Sequence, residues 1–308
     1  RTTSSIGYSL IYDRRDNRIR PTRGHNVVLS QDFAGLGGSV KYVRTRINGS
    51  KYWGLGAGFI FSISAEGGYI HSLEKERLDT FGDPVDKVRL TDRFFLGEPQ
   101  MRGFDIRGIG PRVQRRYQTA VRDATTGLPT GAFTEASGNN FTDDALGGKM
   151  YYMARAEVEI PLGSGAREMG LRPSVFVDVG AVAGLRDPKT SPFPGYCSIT
   201  TGTIAPGTGG TSVKTPTGSS SERANASFDG TCPTASSSTA TTYTDVSYAD
   251  GGFREVYLGD TLKPRLSVGF GVNWNSPFGP FRIDIAKALL KEEGDDTKLI
   301  TFNVGTQF

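Results

Sequence analysis

The sequence predicts an all-β fold, an antiparallel transmembrane β-barrel to which this chain contributes nine strands. Three observations carry the prediction. Nine segments alternate apolar and polar residues at period two, and the polar positions carry charge as well as small residues: Glu66, Arg155, Glu157, Asp178, Arg265, Arg282 and Asp284. The connections alternate in length. Those after the first, third, fifth and seventh segments take about ten residues or fewer, while those after the fourth and sixth are very long; short turns on one side and long loops on the other are the asymmetry of an outer-membrane barrel. The last strand ends on an aromatic residue, and Tyr8, Tyr12, Tyr69, Tyr152 and Trp274 fall near strand ends, where an interfacial girdle sits. A soluble sandwich with one wet face would also tolerate charge at alternate positions, so the loop asymmetry tips the reading toward the membrane.

The elements follow in order. Residues 2–13 set Ile6, Tyr8, Leu10 and Tyr12 against Ser5, Gly7 and Ser9. A charged turn at 14–23 contains Pro21. Residues 24–34 resume the alternation, Gly35 to Gly38 turn, and 39–48 form a weaker strand. A turn over 49–55 precedes the clearest strand, 56–72, where Phe59, Phe61, Ile63, Ala65 and Tyr69 oppose Ser62, Ser64, Glu66 and Gly68. Residues 73–146 show no regular period and read as one long loop. Strands return at 148–160 and 171–183. Residues 187–262 are dominated by Ser, Thr, Gly and Pro and read as a surface loop without a core of its own. The last three strands are 264–274, 281–288 and 298–308.

Composition excludes several classes. Only 36% of the 308 residues are hydrophobic and 41 are glycine. No run approaches the roughly 18 apolar residues of a membrane helix, which leaves a barrel untouched. The net charge of +4, from 36 basic and 32 acidic residues, with no basic run, gives no nucleic-acid partner. No secretory signal opens the chain, since Arg1 to Ser5 lead straight into strand pattern; the sequence reads as a mature piece or a fragment. Glu157 and Glu159 share a face, yet a solvated barrel wall accounts for them better than acid–base catalysis. His25 and His71 lie in different strands with no cysteine near, which argues against a metal site. The glycines of GLGAG at 54–58 precede no helix, so they do not mark a nucleotide site. No cofactor and no enzyme activity are expected.

The most distinctive stretch is FFLGEPQMRGFDIRGIGPR, Phe94 to Arg112. It lies in a long loop between regular strands, a setting that is more often functional than idle. It resembles the conserved loop of the BamA family of outer-membrane assembly factors, with the RGF core at Arg102, Gly103 and Phe104. DDALGGKMYYMARAEVEIPLG at 143–163, SVFVDVGAV at 174–182, SVGFGVNWNSPFGPFRIDIA at 267–286 and FNVGTQF at 302–308 resemble the family's later strands. The resemblance covers nearly the whole chain except 187–262.

The resemblance implies a bacterial outer-membrane barrel of sixteen strands, of which these are the C-terminal nine, with the periplasmic repeats and the first half of the barrel missing. The chain would begin partway round, leaving two open edges. The family's loop tucks into the lumen and its arginine meets carboxylates on two neighbouring strands; the matching residues are Arg102, Glu157 and Asp178. Alternation independently places Glu157 and Asp178 on the polar side of their strands. Gly103 would allow a sharp bend or close packing, and Phe104 would fill a gap. The implied function is folding and insertion of β-barrel proteins through a lateral seam between first and last strands. Phe302, Val304, Gly305 and Phe308 would form this chain's side of it, with Gly305 weakening the strand. Implied partners are unfolded barrel substrates, accessory assembly lipoproteins and outer-membrane lipid. Two-partner secretion transporters, the TamA assembly factor and a passive porin remain the alternatives. Cys197 and Cys232 lie in a loop facing an oxidising exterior, so a disulfide is expected over two free thiols.

Overall fold

The structure is a computed structural model. It describes residues 2–78, 84–122, 124–125, 129–135, 141–163, 170–188, 190, 195–206, 212–216, 222–225, 242–250, 252–276 and 279–304. The chain forms two compact units. The first comprises Arg1–Arg112, Asp144–Pro188 and Tyr257–Phe308, and the second Val113–Asp143 and Lys189–Val256.

The strands, in chain order, begin with β1 (Ser5–Asp13), β2 (Gly24–Ala34), β3 (Tyr42–Gly56) and β4 (Phe59–Ser72). The segment 73–146 carries β5 (Arg77–Leu78), β6 (Pro84–Val85), β7 (Arg112–Arg122), β8 (Pro129–Glu135) and β9 (Phe141–Ala145). Next come β10 (Met150–Glu159) and β11 (Leu171–Ala183). Within 187–262 lie β12 (Gly195–Pro206), β13 (Ser212–Pro216), β14 (Glu222–Asn225), β15 (Thr242–Asp250) and β16 (Gly252–Leu258). The chain continues through β17 (Arg265–Ser276), β18 (Gly279–Leu290) and β19 (Ile300–Val304).

The first unit is built on one nine-stranded antiparallel sheet in the order β1-β2-β3-β4-β10-β11-β17-β18-β19. The long excursions after β4 and β11 leave this order unbroken: β4 pairs β10 with Ala65 opposite Ala154, and β11 pairs β17 with Val177 opposite Val268. The sheet is inside-out by the standards of a soluble protein. On β11 Ser174, Phe176 and Asp178 are buried while Val175 and Val177 are exposed; on β18 Arg282 and Asp284 are buried while Ile283 and Ile285 are exposed. Water would reverse that choice. Lipid on one side and a packed polar interior on the other produce it.

Two readings of the sequence change. The turn placed at 49–55 is strand, and β3 runs to Gly56. Asn48-Gly49-Ser50 has turn chemistry, but these residues pair with Val28, Val27 and Asn26 of β2. The reversal falls at Ala57 and Gly58, both at positive φ, as the tightest hairpins require. The segments 73–146 and 187–262 are also richer in strands than their composition indicated. In the second unit β12 pairs β13, β14 and β15, and β7 pairs β8 and β9. Threonine and tyrosine at alternate positions of Thr242–Asp250 favour a strand; a count of polar residues hides that pattern.

Candidate functional site: an arginine seated on the inner face of the sheet

The segment from Phe94 to Arg112 lies against the buried face of the sheet. It enters through a bridge of Phe94 to Gly148 and folds on itself through a bridge of Leu96 to Ile109. Leu96, Met101, Phe104 and Ile109 form a buried apolar cluster with Met153 of β10 and Val182 of β11. Phe104 is fully buried in this cluster. Burying a phenylalanine side chain contributes about 1.5–3 kcal/mol, so this cluster offsets part of the cost of desolvating the charge beside it.

That charge is Arg102. Its Nε donates to Asp178 Oδ2 at 2.8 Å and its Nη2 to Asp178 Oδ1 at 2.7 Å, a bidentate fork. Nη1 donates to Glu157 Oε2 at 3.1 Å and lies 3.6 Å from Asp284 Oδ1. The backbone N–H of Arg102 donates to Asp178 Oδ2 at 3.2 Å, and Ser267 Oγ donates to the Arg102 carbonyl at 2.5 Å. The guanidinium carbon sits 3.2 Å from the centre of the Phe176 ring, a cation–π contact. Three strands, β10, β11 and β18, therefore hold the side chain, and β17 holds the backbone carbonyl of the same residue.

The carboxylates are shared. Arg155 Nε donates to Asp178 Oδ1 at 3.0 Å, and its Nη2 donates to the Gln100 carbonyl at 2.6 Å. Arg282 donates through Nη2 to Glu157 at 3.1 Å and through Nε to Asp284 at 2.8 Å. Three guanidinium groups thus face three carboxylates in one neutral network. Burial makes each pair costly to break, because the partner left behind keeps its desolvation penalty.

Glycines make the room. Gly103 has φ of +86°, and a Cβ there would lie 2.9 Å from Ser267 Cβ and 3.3 Å from Ala286 Cβ. The alternate glycines of β17 have the same use: a Cβ on Gly269 would run into the Phe176 ring, and one on Gly271 into the Asp284 carboxylate. The network needs these cleared positions as much as it needs the charges.

Of the residues singled out in the sequence, Arg102, Gly103, Phe104, Glu157 and Asp178 are brought together. Phe302 and Val304 lie on β19 with their side chains exposed; Gly305 and Phe308 fall outside the described residues. Cys197 is on the backbone of β12, while Cys232 falls outside the described residues, so their pairing stands as an expectation. Sequence reasoning placed Arg155, Arg282 and Asp284 on the polar face but did not join them to Arg102. Ser267 and Phe176 were missed as partners. The available signal was their position: each is inward by alternation on a strand flanking β10 or β11.

An antiparallel sheet with an apolar exposed face and an inward-folded loop defines a membrane β-barrel wall with an internal segment. The whole chain, residues 1–308, matches the model of the Omp85 superfamily domain, and the chain belongs to that superfamily. It is 28% identical over 305 residues to the outer membrane protein assembly factor BamA of Neorickettsia risticii, covering 99% of this chain and 27% of that protein. It is 33% identical over 112 residues to a SAM50-like protein of Drosophila melanogaster, covering 36% of this chain and 23% of that protein. The crystal structure of BamA from Haemophilus ducreyi lacking POTRA domains 1–3 shares the fold, with a TM-score of 0.55 at 18% identity over 97% of this chain and 41% of that one. The chain is part of an Omp85-superfamily barrel of the bacterial outer membrane, similar to BamA proteins. It spans about a quarter of the length of these curated relatives.

Proposed function

We propose that the chain is the C-terminal part of the barrel of an outer-membrane protein assembly factor. The complete protein folds β-barrel proteins and inserts them into the outer membrane through a seam between its first and last strands, without covalent chemistry. The observation that carries the reading is the Arg102-bearing segment seated on the inner face of the sheet by carboxylates of three strands. β19, the last strand among the described residues, pairs with β18 from Ile285 opposite Ile300 to Phe281 opposite Val304, and in the complete barrel its other edge would meet the first strand. A strand edge in an apolar setting is a template for a further strand. Phe302 and Val304 face lipid on this strand, and Gly305 and Phe308 follow. The substrates are unfolded outer-membrane barrel chains; accessory lipoproteins and membrane lipid complete the machine. The similarity to assembly factors named BamA and SAM50-like supports this reading over a passive porin.

The test is reconstitution of the full-length protein in liposomes with an unfolded barrel substrate. The expected result is accelerated substrate folding, abolished by an engineered disulfide joining the last strand to the first and restored by reductant. Full activity of the locked form rejects lateral opening. Solute flux with no acceleration of folding supports the porin instead.

A further inference from the structure

The connection between β18 and β19, KEEGDDTKL at 291–299, has the composition of a solvated turn. The structure gives it a different task. Phe104 and Thr297 form an antiparallel bridge. The Asp105 N–H donates to the Asp296 carbonyl at 3.0 Å, the Asp296 N–H to the Gly108 carbonyl at 2.9 Å, and the Lys298 N–H to the Gly103 carbonyl at 3.2 Å. Ion pairs flank this backbone pairing. Lys298 Nζ meets Glu98 Oε2 at 2.7 Å, with Asp105 Oδ1 at 3.7 Å. Arg112 Nη1 meets Asp296 Oδ2 at 2.8 Å. Beside them, Asp295 and Arg265 pair at 3.0 Å, both fully buried, and fix the connection to the start of β17. Gly108 has no side chain where a Cβ would come within 2.5 Å of the Asp296 carbonyl.

The segment that seats Arg102 is therefore hydrogen-bonded to the residues that lead into the edge strand. Lys298 stands two positions before Ile300, where β19 begins. Among the described residues, β19 is otherwise held only by β18. A strand at the end of a sheet draws part of its constraint from whatever fixes the residues leading into it.

We propose that Asp296 and Lys298 are positioning residues for the assembly reaction: they tie β19 to the Arg102-bearing segment, so that the edge strand is held or released with the seating of that segment. The consequence for assembly rests on the seam reading given above; the tie itself does not. Leaving the seat would free β19 first, because β2 and β3 lie several strands away from it in the sheet order.

The test is amide hydrogen exchange on the full-length protein in lipid nanodiscs. Lys298 is partly exposed, so its variants should fold. Lys298→Glu and Glu98→Lys are each expected to speed exchange in β19 on the order of fivefold, the loss of a partly exposed ion pair plus a repulsion. The double exchange of charges should bring the rate back toward wild type. Arg102→Ala should also speed β19 while β2 and β3 stay unchanged. Unaltered β19 exchange in both Lys298→Glu and Arg102→Ala overturns the proposal, and so does a rise shared equally by β2 and β3. If β19 responds as expected while substrate folding in liposomes does not change, the tie stands and the seam reading fails.

Discussion

A buried guanidinium has five N–H donors to satisfy, and Arg102 meets that demand with carboxylates from three strands and the face of Phe176. The planar fork matters as much as the charge, because Asp178 accepts from Nε and Nη2 together. Arg102→Ala should therefore lower stability by about 3–5 kcal/mol, with Asp178 stripped of its bidentate partner and Glu157 of one of its two cations. Arg102→Lys keeps a charge but loses the fork, and should cost on the order of 2 kcal/mol. Heat-dependent migration of the folded barrel on a gel reads both, and a lysine variant as stable as wild type would contradict the fork. At this scale the sequence was partly legible. Period two alone puts Glu157 and Asp178 inward. Resemblance, not spacing, linked them to Arg102. The joining of Arg282 and Asp284 to the same network depends on register across β11, β17 and β18. Asp284 lies opposite Gly271, and Ser267 opposite Asp178, by pairings that no single strand encodes.

At the scale of elements, the hairpin between β3 and β4 turns on Ala57 at φ of +49° and Gly58 at +88°. Alanine is a poor residue for that conformation, and asparagine a good one. Ala57→Asn should stabilise the hairpin by about 0.5–1 kcal/mol, raising the temperature at which the folded form is lost on the same gel; no gain would show that the turn is not strained. The first hairpin is held by Asp16, whose carboxylate accepts from Thr22 Oγ1 at 2.6 Å and from the N–H groups of Thr22 and Arg23 at 2.9 and 3.1 Å. These bonds, the Thr22 hydroxyl first, hold its pKa well below the usual aspartate range. A depressed folded-state pKa stabilises above the unfolded value, near 3.9, and that contribution fades as pH falls toward the folded value. Protection of the Thr22 and Arg23 amides, corrected for intrinsic exchange, should therefore hold at neutral pH and fall under strong acid. An Asp16→Asn variant should already be loosened at pH 7. Equal protection in the two proteins would exclude the carboxylate as the anchor. The nine strands of the main sheet were legible because each has one face in lipid and one inside, which enforces alternation. The excursions at 73–146 and 187–262 were not, since their strands pair in separate small sheets and not in the nine-stranded one.

At the scale of the whole molecule, the reversal of burial across the sheet is the physical core of the account. Exposed Val175, Val177, Ile283 and Ile285 sit beside buried Asp178, Arg282 and Asp284, a pattern that makes sense with hydrocarbon outside and a packed polar network inside. The same strands that build the wall carry the seat for the loop, so the loop's position and the sheet's edge belong to one hydrogen-bonded body. The chain's place in the Omp85 superfamily and its proposed role converge on that body. The most direct test is replacement of the full-length protein in cells by Arg102→Ala as the sole copy, with outer-membrane barrel proteins measured per inserted molecule of the variant. The account predicts a several-fold fall in barrel content with the variant itself still in the membrane; normal content and growth would contradict it.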